Sequence, residues 1–447
     1  DSLGGGGGDD HPYGSRAEGG EGLALQMWDA YRRLGDESAF AREWLPANTE
    51  GGGLEQIAME AIGPDGLAPG EAFHRAFSEL LSLGCISPSL ILQDSQSDQG
   101  FWPFSAQARA ARHAEEAVEG REWHMLLGDL DVESDGERED RDAFAYKYFK
   151  WQGHMVRYAE GGNEQGPAVL FVHGFGASAD QWHKCIKELG STHKVYAIDL
   201  LGFGHSAKPI VTYSQYLWED VVRDFALEVV SRPLYLSGNS IGGYTAMSAA
   251  SQLKGFCRGL ILCNSAGRIV DAETFAAEER ERGGTVKATL RREGAPAKES
   301  PPQWALNWAG RAIIAGLRPN VESFCKKVYP NSPEQVTPRL VDSIVRDSKD
   351  PGGFSILAAG FKLPPQATKN ELLREFGGKL LVTQGVNDPL GGGVSKKRFA
   401  LYNQVHPEED VKLVSIEAGH CPQCEAYEEV SNAIRTFTAE VEGMVPA

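Results

Sequence analysis

The pentapeptide Gly238-Asn239-Ser240-Ile241-Gly242 directly follows the apolar run Leu234-Tyr235-Leu236 and opens the alanine-rich stretch Tyr244 to Ala250. A strand, a sharp turn and a helix are the setting in which a serine can project above a sheet as a nucleophile. Gly238 and Gly242 keep backbone and side-chain bulk away from that strained turn, and Asn239 completes the elbow. A serine hydroxyl attacks poorly at neutral pH. It needs an imidazole to take its proton and a carboxylate to fix the imidazole tautomer. Asp388 lies just past the apolar run Leu380-Leu381-Val382-Thr383, and His420 just past Val411 to Ile416, each on a loop after a strand. Asp199 also follows a strand but precedes the serine, and is read as ordering the loop Leu200 to Ser206. After the strand that follows the serine helix the chain reads Cys263-Asn264-Ser265-Ala266, with no carboxylate, so the acid falls to Asp388. His173 follows a strand too and is assigned a structural or substrate-facing role.

Negative charge developing on the attacked oxygen calls for preorganised N–H donors. One is predicted at Ile241, immediately after the nucleophile, and the second at Phe175 in His173-Gly174-Phe175-Gly176, where flanking glycines permit close approach. Short apolar strands at 168–172, 194–198, 233–237, 258–263, 379–384 and 411–416 alternate with helical patterns and follow a hairpin around Gln152-Gly153. That alternation predicts a mostly parallel, eight-stranded sheet with helices on both faces. The chain order Ser240, Asp388, His420 is the one used by the α/β-hydrolase fold.

The remaining chain divides by composition. Residues 1–21, Gly- and Asp-rich, read as disordered; 22–128 as a helical extension; 129–142 as an acidic linker; 143–267 and 371–447 as the core; and 268–370 as a cap or lid insertion. Within the insertion Glu273 to Glu299 is charged and reads as solvated, whereas Trp304 and Trp308 either line an acyl pocket or pack the cap onto the core. With 447 residues, a formal charge of −18 and a pI near 5.1, the chain is a poor match for nucleic acid. Its apolar runs are too short to span a membrane. Seven scattered cysteines favour a reducing compartment, and the lone Cys421-Pro422-Gln423-Cys424 is read as inert. The chain opens at Asp1 with no signal or transit segment, which reads as a processed product or fragment.

Taken together, Val172-His173-Gly174-Phe175-Gly176, Asp199 to Ser206, Gly238 to Gly243 and Gly419-His420-Cys421-Pro422 resemble the pheophytinase-related α/β-hydrolases of plants and algae over about 143–443. The Asn before the serine and the Cys-Pro after the histidine look like the hydrolase half of plastid proteins that fuse a photolyase-like domain to an α/β-hydrolase. More loosely, Phe101 to Ala106 and Glu122 to Leu127 are similar to their connecting region. The resemblance implies ester or related acyl hydrolysis and a chloroplast location, with a chlorophyll-type ester among the implied substrates; flavin binding and DNA repair are not carried over, because the photolyase part is missing. The leading expectation is a serine carboxylesterase needing neither metal nor cofactor and acting on a small-molecule ester. The same triad would also serve a carbon–carbon or amide hydrolase, and the fold would serve a slow or non-catalytic receptor docking through 22–128.

Overall fold

In the computed structural model, the strand Ala168–Val172 is wholly buried, and its period of two divides it between two cores. Ala168, Leu170 and Val172 join one hydrophobic cluster, Val169 and Phe171 the other. This strand is β3 in a series that runs β1 (Phe144–Trp151), β2 (His154–Gly162), β3, β4 (Lys194–Ile198), β5 (Leu234–Asn239), β6 (Cys257–Cys263), β7 (Lys379–Gly385) and β8 (Val411–Ile416). They form one sheet in the order β1-β2-β4-β3-β5-β6-β7-β8. The first two pair antiparallel through a turn at Gln152 and Gly153, both with positive φ, and β2 is antiparallel to β4. All pairs from β4 to β8 are parallel. The chain passes from β3 to β4 on one side and then crosses to β5 on the other. The carboxyl ends of β3 and β5 therefore open at a topological switch point, where parallel sheets bind ligands.

The structure describes residues 21–34, 90–92, 95, 111, 114, 118, 144–209, 211–294, 301–350, 352–360, 363–390 and 395–443. Contacts divide the chain into two units, 1–51 with 62–120, and 52–61 with 121–447. In the first, α1 (Glu21–Leu34) buries Met27, Trp28, Ala30 and Tyr31, with the Trp28 and Tyr31 rings stacked at 5.8 Å. Residues 1–20 of the expected disordered segment, most of the expected extension beyond α1, and the acidic linker 129–142 lie outside the described residues.

In the second unit, α2 (His183–Leu189) covers one face of the sheet, while α3 (Gln215–Phe225) and α4 (Ile241–Gln252) cover the other. Between β6 and β7 come α5 (Ala272–Arg282), α6 (Val286–Glu293), α7 (Gln303–Leu317), α8 (Val321–Val328), α9 (Pro338–Asp347), α10 (Ser355–Ala359) and α11 (Lys369–Phe376). The last of these returns to the core, burying Leu372 and Leu373 beside α4. After β7 come α12 (Ser395–Val405), α13 (Pro422–Glu425) and α14 (Tyr427–Glu442), the last packing Val430, Ile434 and Phe437 on the α2 side.

The excursion between β6 and β7 has a narrow neck. Lys369 N–H donates to the Arg268 carbonyl at 2.9 Å, and the Asn370 side chain pairs with both backbone groups of Val270 at 3.0 and 2.7 Å. In its first part α5 buries only Phe275, but α6 differs from the sequence expectation of a solvated segment. In α6, Val286, Lys287 and Leu290 are buried, and Lys287 Nζ reaches the fully buried Glu219 carboxylate of α3 at 2.9 Å. Burial pushes the Glu219 carboxyl up to about 7. Glu371 also accepts the Val286 and Lys287 N–H groups, at 2.8 and 3.1 Å, which caps α6 from the core side. One helix face with three inward residues was enough to dock a segment whose overall composition is charged.

Candidate active site

Ser240 sits between β5 and α4 with φ 55 and ψ −120. A non-glycine residue in this region carries strain of about 1–3 kcal/mol, held here by what surrounds it. Its N–H donates to the Cys263 carbonyl at 3.1 Å, and its carbonyl accepts from Ala266 N–H at 2.8 Å. The flanking glycines are required by space. A Cβ on Gly242 would collide with the carbonyls of His173 and Val172, and one on Gly238 with the Gly242 carbonyl. This close approach also brings the loop after β3 to the serine: a Cβ on Gly174 would stand 3.4 Å from Ser240 Cβ.

His420 and Asp388 meet on the loops after β8 and β7, with His420 Nδ1 to Asp388 Oδ1 at 3.0 Å. Asp388 Oδ1 also accepts from Leu390 N–H at 2.9 Å. The histidine loop is fixed on several sides. His420 N–H donates to the Val328 carbonyl at the end of α8, 2.9 Å away, and Gly419 N–H to Glu425 Oε1 at 2.8 Å. Asn239, beside the serine, donates from Nδ2 to the His420 carbonyl at 2.9 Å, so the elbow and the histidine loop are directly joined.

Phe175 and Ile241 line one cavity of about 280 Å3 together with Tyr213, Trp218, Tyr244, Ile356 and Leu357, and Gln215 and Gln366 among its polar residues. Phe175 is 56% exposed and meets Phe203 edge-on at 5.4 Å. Of the residues expected at the pocket wall, His173 takes the structural role that was its alternative, and the expectation for Trp304 and Trp308 is corrected. His173 is fully buried: Leu200 N–H donates to its Nε2 at 2.9 Å, so its proton is on Nδ1, which donates to the Gly174 carbonyl at 2.7 Å. With both ring nitrogens occupied, it braces the loop and does not face the cavity. Trp304 and Trp308 point away as well, being 74% and 71% exposed on α7 and absent from the cavity wall.

Asp199 is a brace for the same edge of the sheet. Its carboxylate accepts from Arg157 Nε at 2.7 Å, Ala179 N–H at 2.6 Å and His205 N–H at 2.8 Å. Burial works against both charges, but the Arg157 guanidinium outweighs it and holds the Asp199 carboxyl below its ordinary value. Cys421 and Cys424 are free thiols. Burial pushes Cys421 well up and Cys424 up to about 11, so neither supplies thiolate at neutral pH.

The family model described as the alpha/beta hydrolase fold matches residues 167–313, a span that holds the β3 loop and the Ser240 elbow. The span it matches carries the α/β-hydrolase fold. The chain is 30% identical over 175 residues to the chloroplastic pheophytinase of Arabidopsis thaliana, covering 32% of this chain and 36% of that protein. It is 32% identical over 133 residues to a 2-hydroxy-6-oxo-6-(2'-aminophenyl)hexa-2,4-dienoic acid hydrolase of Metapseudomonas resinovorans, covering 29% and 45%. The matched parts thus span less than half of these relatives' length. Among solved structures, a thermophilic esterase from Thermogutta terrifontis aligns with a TM-score of 0.45 and 26% identity over 64% of this chain and 94% of its own.

One residue of the candidate site is legible only in three dimensions. Asn264 follows β6, the spot where the sequence offers no carboxylate, and is 2% exposed with φ 44. Its Oδ1 accepts from Gly385 N–H at 2.8 Å, and its Nδ2 donates to the Gly419 and His420 carbonyls at 2.7 and 3.0 Å. It therefore ties the loop carrying Asp388 to the loop carrying His420. Asn264→Ala leaves the buried Gly385 N–H and the Gly419 carbonyl short of a partner, while the His420 carbonyl keeps Asn239, and is expected to lower unfolding free energy by about 1–3 kcal/mol, read from urea denaturation. The sequence signal was a helix-avoiding polar residue at a strand end, which turns of many kinds share.

Proposed function

We propose that this chain is a serine hydrolase that cleaves an uncharged carboxylic ester through an acyl-enzyme on Ser240. The observation that carries the reading is the contact between His420 Nδ1 and Asp388 Oδ1 at 3.0 Å, on loops joined to the Ser240 elbow through Asn239. In this reading Ser240 Oγ attacks the ester carbonyl while His420 Nε2 takes its proton. Asp388 keeps the proton of the resting imidazole on Nδ1 and stabilises the imidazolium that forms. The N–H groups of Ile241 and Phe175 receive the oxyanion. His420 returns the proton to the departing alkoxide, and a water activated by the same imidazole then releases the carboxylic acid.

The cavity supports a neutral substrate. Among the described residues its lining includes no Lys, Arg, Asp or Glu, and its size is near the lower end of the ~300–1,000 Å3 usual for small-molecule sites. The Metapseudomonas relative is named for an acid substrate, and no described residue of this lining offers a cation to meet a carboxylate. A chlorophyll-type ester, which the resemblance implies, would lodge only part of itself here. A chloroplast location is proposed on the resemblance to the chloroplastic relative alone.

A fluorophosphonate probe followed by peptide mapping, with neutral aryl esters of rising acyl length, tests the reading. The expected result is an adduct on the peptide containing Ser240 and turnover that rises with acyl length until the cavity is filled. Neither labelling nor turnover would leave a binding module as the better account.

A further inference from the structure

The outer face of α7 carries apolar side chains where a solvated helix should be polar. Of the ten large exposed hydrophobics among the described residues, five fall within 304–324: Trp304 and Trp308 on the outer face of α7, Ile313 and Leu317 nearer its other side, and Phe324 on α8. Trp304, Trp308, Ala312 and Ala315 follow one another at steps of four, four and three residues and are all exposed, which makes one stripe. The opposite face of α7 is the one that docks. Leu306 and Ile314 are buried there, and Gly310 lies against α10, where a Cβ would meet the Phe354 carbonyl at 2.7 Å and Ala358 Cβ at 3.4 Å. From α10, Ile356 and Leu357 face the cavity. The stripe is thus the outside of a layer whose inside borders the candidate site.

The charge around the stripe runs against that of the rest of the chain. Over 301–330 there are four cations, Arg311, Arg318, Lys326 and Lys327, against the single acid Glu322, in a chain whose formal charge is −18. Lys326 and Lys327 are exposed beside Phe324, which is 56% exposed. A second copy of the chain packed stripe to stripe would cover the apolar residues but set Lys326 and Lys327 against their own counterparts. Indole rings set beside lysines have a different natural partner. An indole places an apolar body and a polar N–H at the depth of lipid headgroups, and lysines reach to the phosphates.

We propose that α7 and the start of α8 dock on the surface of a bilayer bearing anionic lipid, with Trp304 and Trp308 inserted at headgroup depth and Lys326 and Lys327 paired to phosphates. The docking is peripheral, since no helix among the described residues is long and apolar enough to cross a membrane. It does not depend on the catalytic reading, and Ser240→Ala is expected to bind as the unaltered chain does.

The test is flotation of the full chain with vesicles of phosphatidylcholine, with and without phosphatidylglycerol. The unaltered chain is expected to float with the anionic vesicles and to be released by salt. Trp304→Ser with Trp308→Ser, and separately Lys326→Glu with Lys327→Glu, are each expected to weaken partition about tenfold or more. All four positions are exposed, so thermal unfolding followed by circular dichroism should match the unaltered chain. No flotation with anionic vesicles, or flotation that the tryptophan pair does not affect, overturns the proposal. So does a dimer in solution that the same pair dissociates, because the stripe would then belong to a second copy.

Discussion

Replacing Ser240 by alanine is expected to lower kcat on a neutral aryl ester by about 10⁴–10⁶ and to abolish fluorophosphonate labelling, with little change in thermal stability. The size follows from the roles proposed around it. Without Oγ no acyl-enzyme forms, while the cavity and the N–H groups of Ile241 and Phe175 remain to bind substrate, so KM should move far less than kcat. The side chain lost is small, and the elbow conformation is set by backbone contacts to Cys263 and Ala266, which alanine keeps. Alanine does not relieve the positive φ, so no large gain in stability is expected either. Equal turnover by Ser240→Ala and the unaltered chain would refute the assignment of the nucleophile outright.

Gly242→Ala is expected to disrupt folding strongly. Its Cβ would overlap two backbone carbonyls, His173 and Val172, at the junction of the β3 loop and α4. Backbone on both sides cannot yield as the end of a flexible side chain can. The β3 loop is braced through His173 to Leu200, and α4 is buried along most of its length. We expect a loss of at least about 3 kcal/mol, the upper range for overpacking, seen as a large drop in the urea midpoint or as insoluble protein. Gly255→Ala provides the contrast. A Cβ there meets nothing within 4 Å, so only its φ of 78 opposes the change, at about 1 kcal/mol.

The sheet was legible because its strands are short, apolar and separated by helical patterns, and period-two burial needs no knowledge of the third dimension. Ser240, Asp388 and His420 could be picked out for a related reason: each stands just after such a strand, and a parallel sheet gathers those ends on one edge. What the sequence hid depends on docking. Trp304 and Trp308 lie on a helix that is apolar nearly all round, so composition could not say which face turns inward. Lys287 sits in a charged segment, and only the approach of α6 to Glu219 takes it out of water. His173 was ambiguous because a histidine beside a glycine loop reads alike whether its ring faces a pocket or a backbone amide. Asn264 was passed over as the absence of a carboxylate, although its two-sided amide can donate and accept at once, which a carboxylate cannot.

The neck at Arg268, Val270, Lys369 and Asn370 bears on how such a protein can change over generations. Because the excursion leaves and re-enters the core at one point, the entropy of closing it is met there and grows only slowly with the length of what hangs beyond. Helices can be added, shortened or exchanged past the neck while the sheet keeps its register. The excursion, which supplies Ile356 and Leu357 to the cavity wall, is therefore separable from the serine elbow, provided that the Val328 carbonyl holding the His420 N–H is kept. Recombination at 268 and 369 is the natural cut for grafting a new preference onto the old reaction.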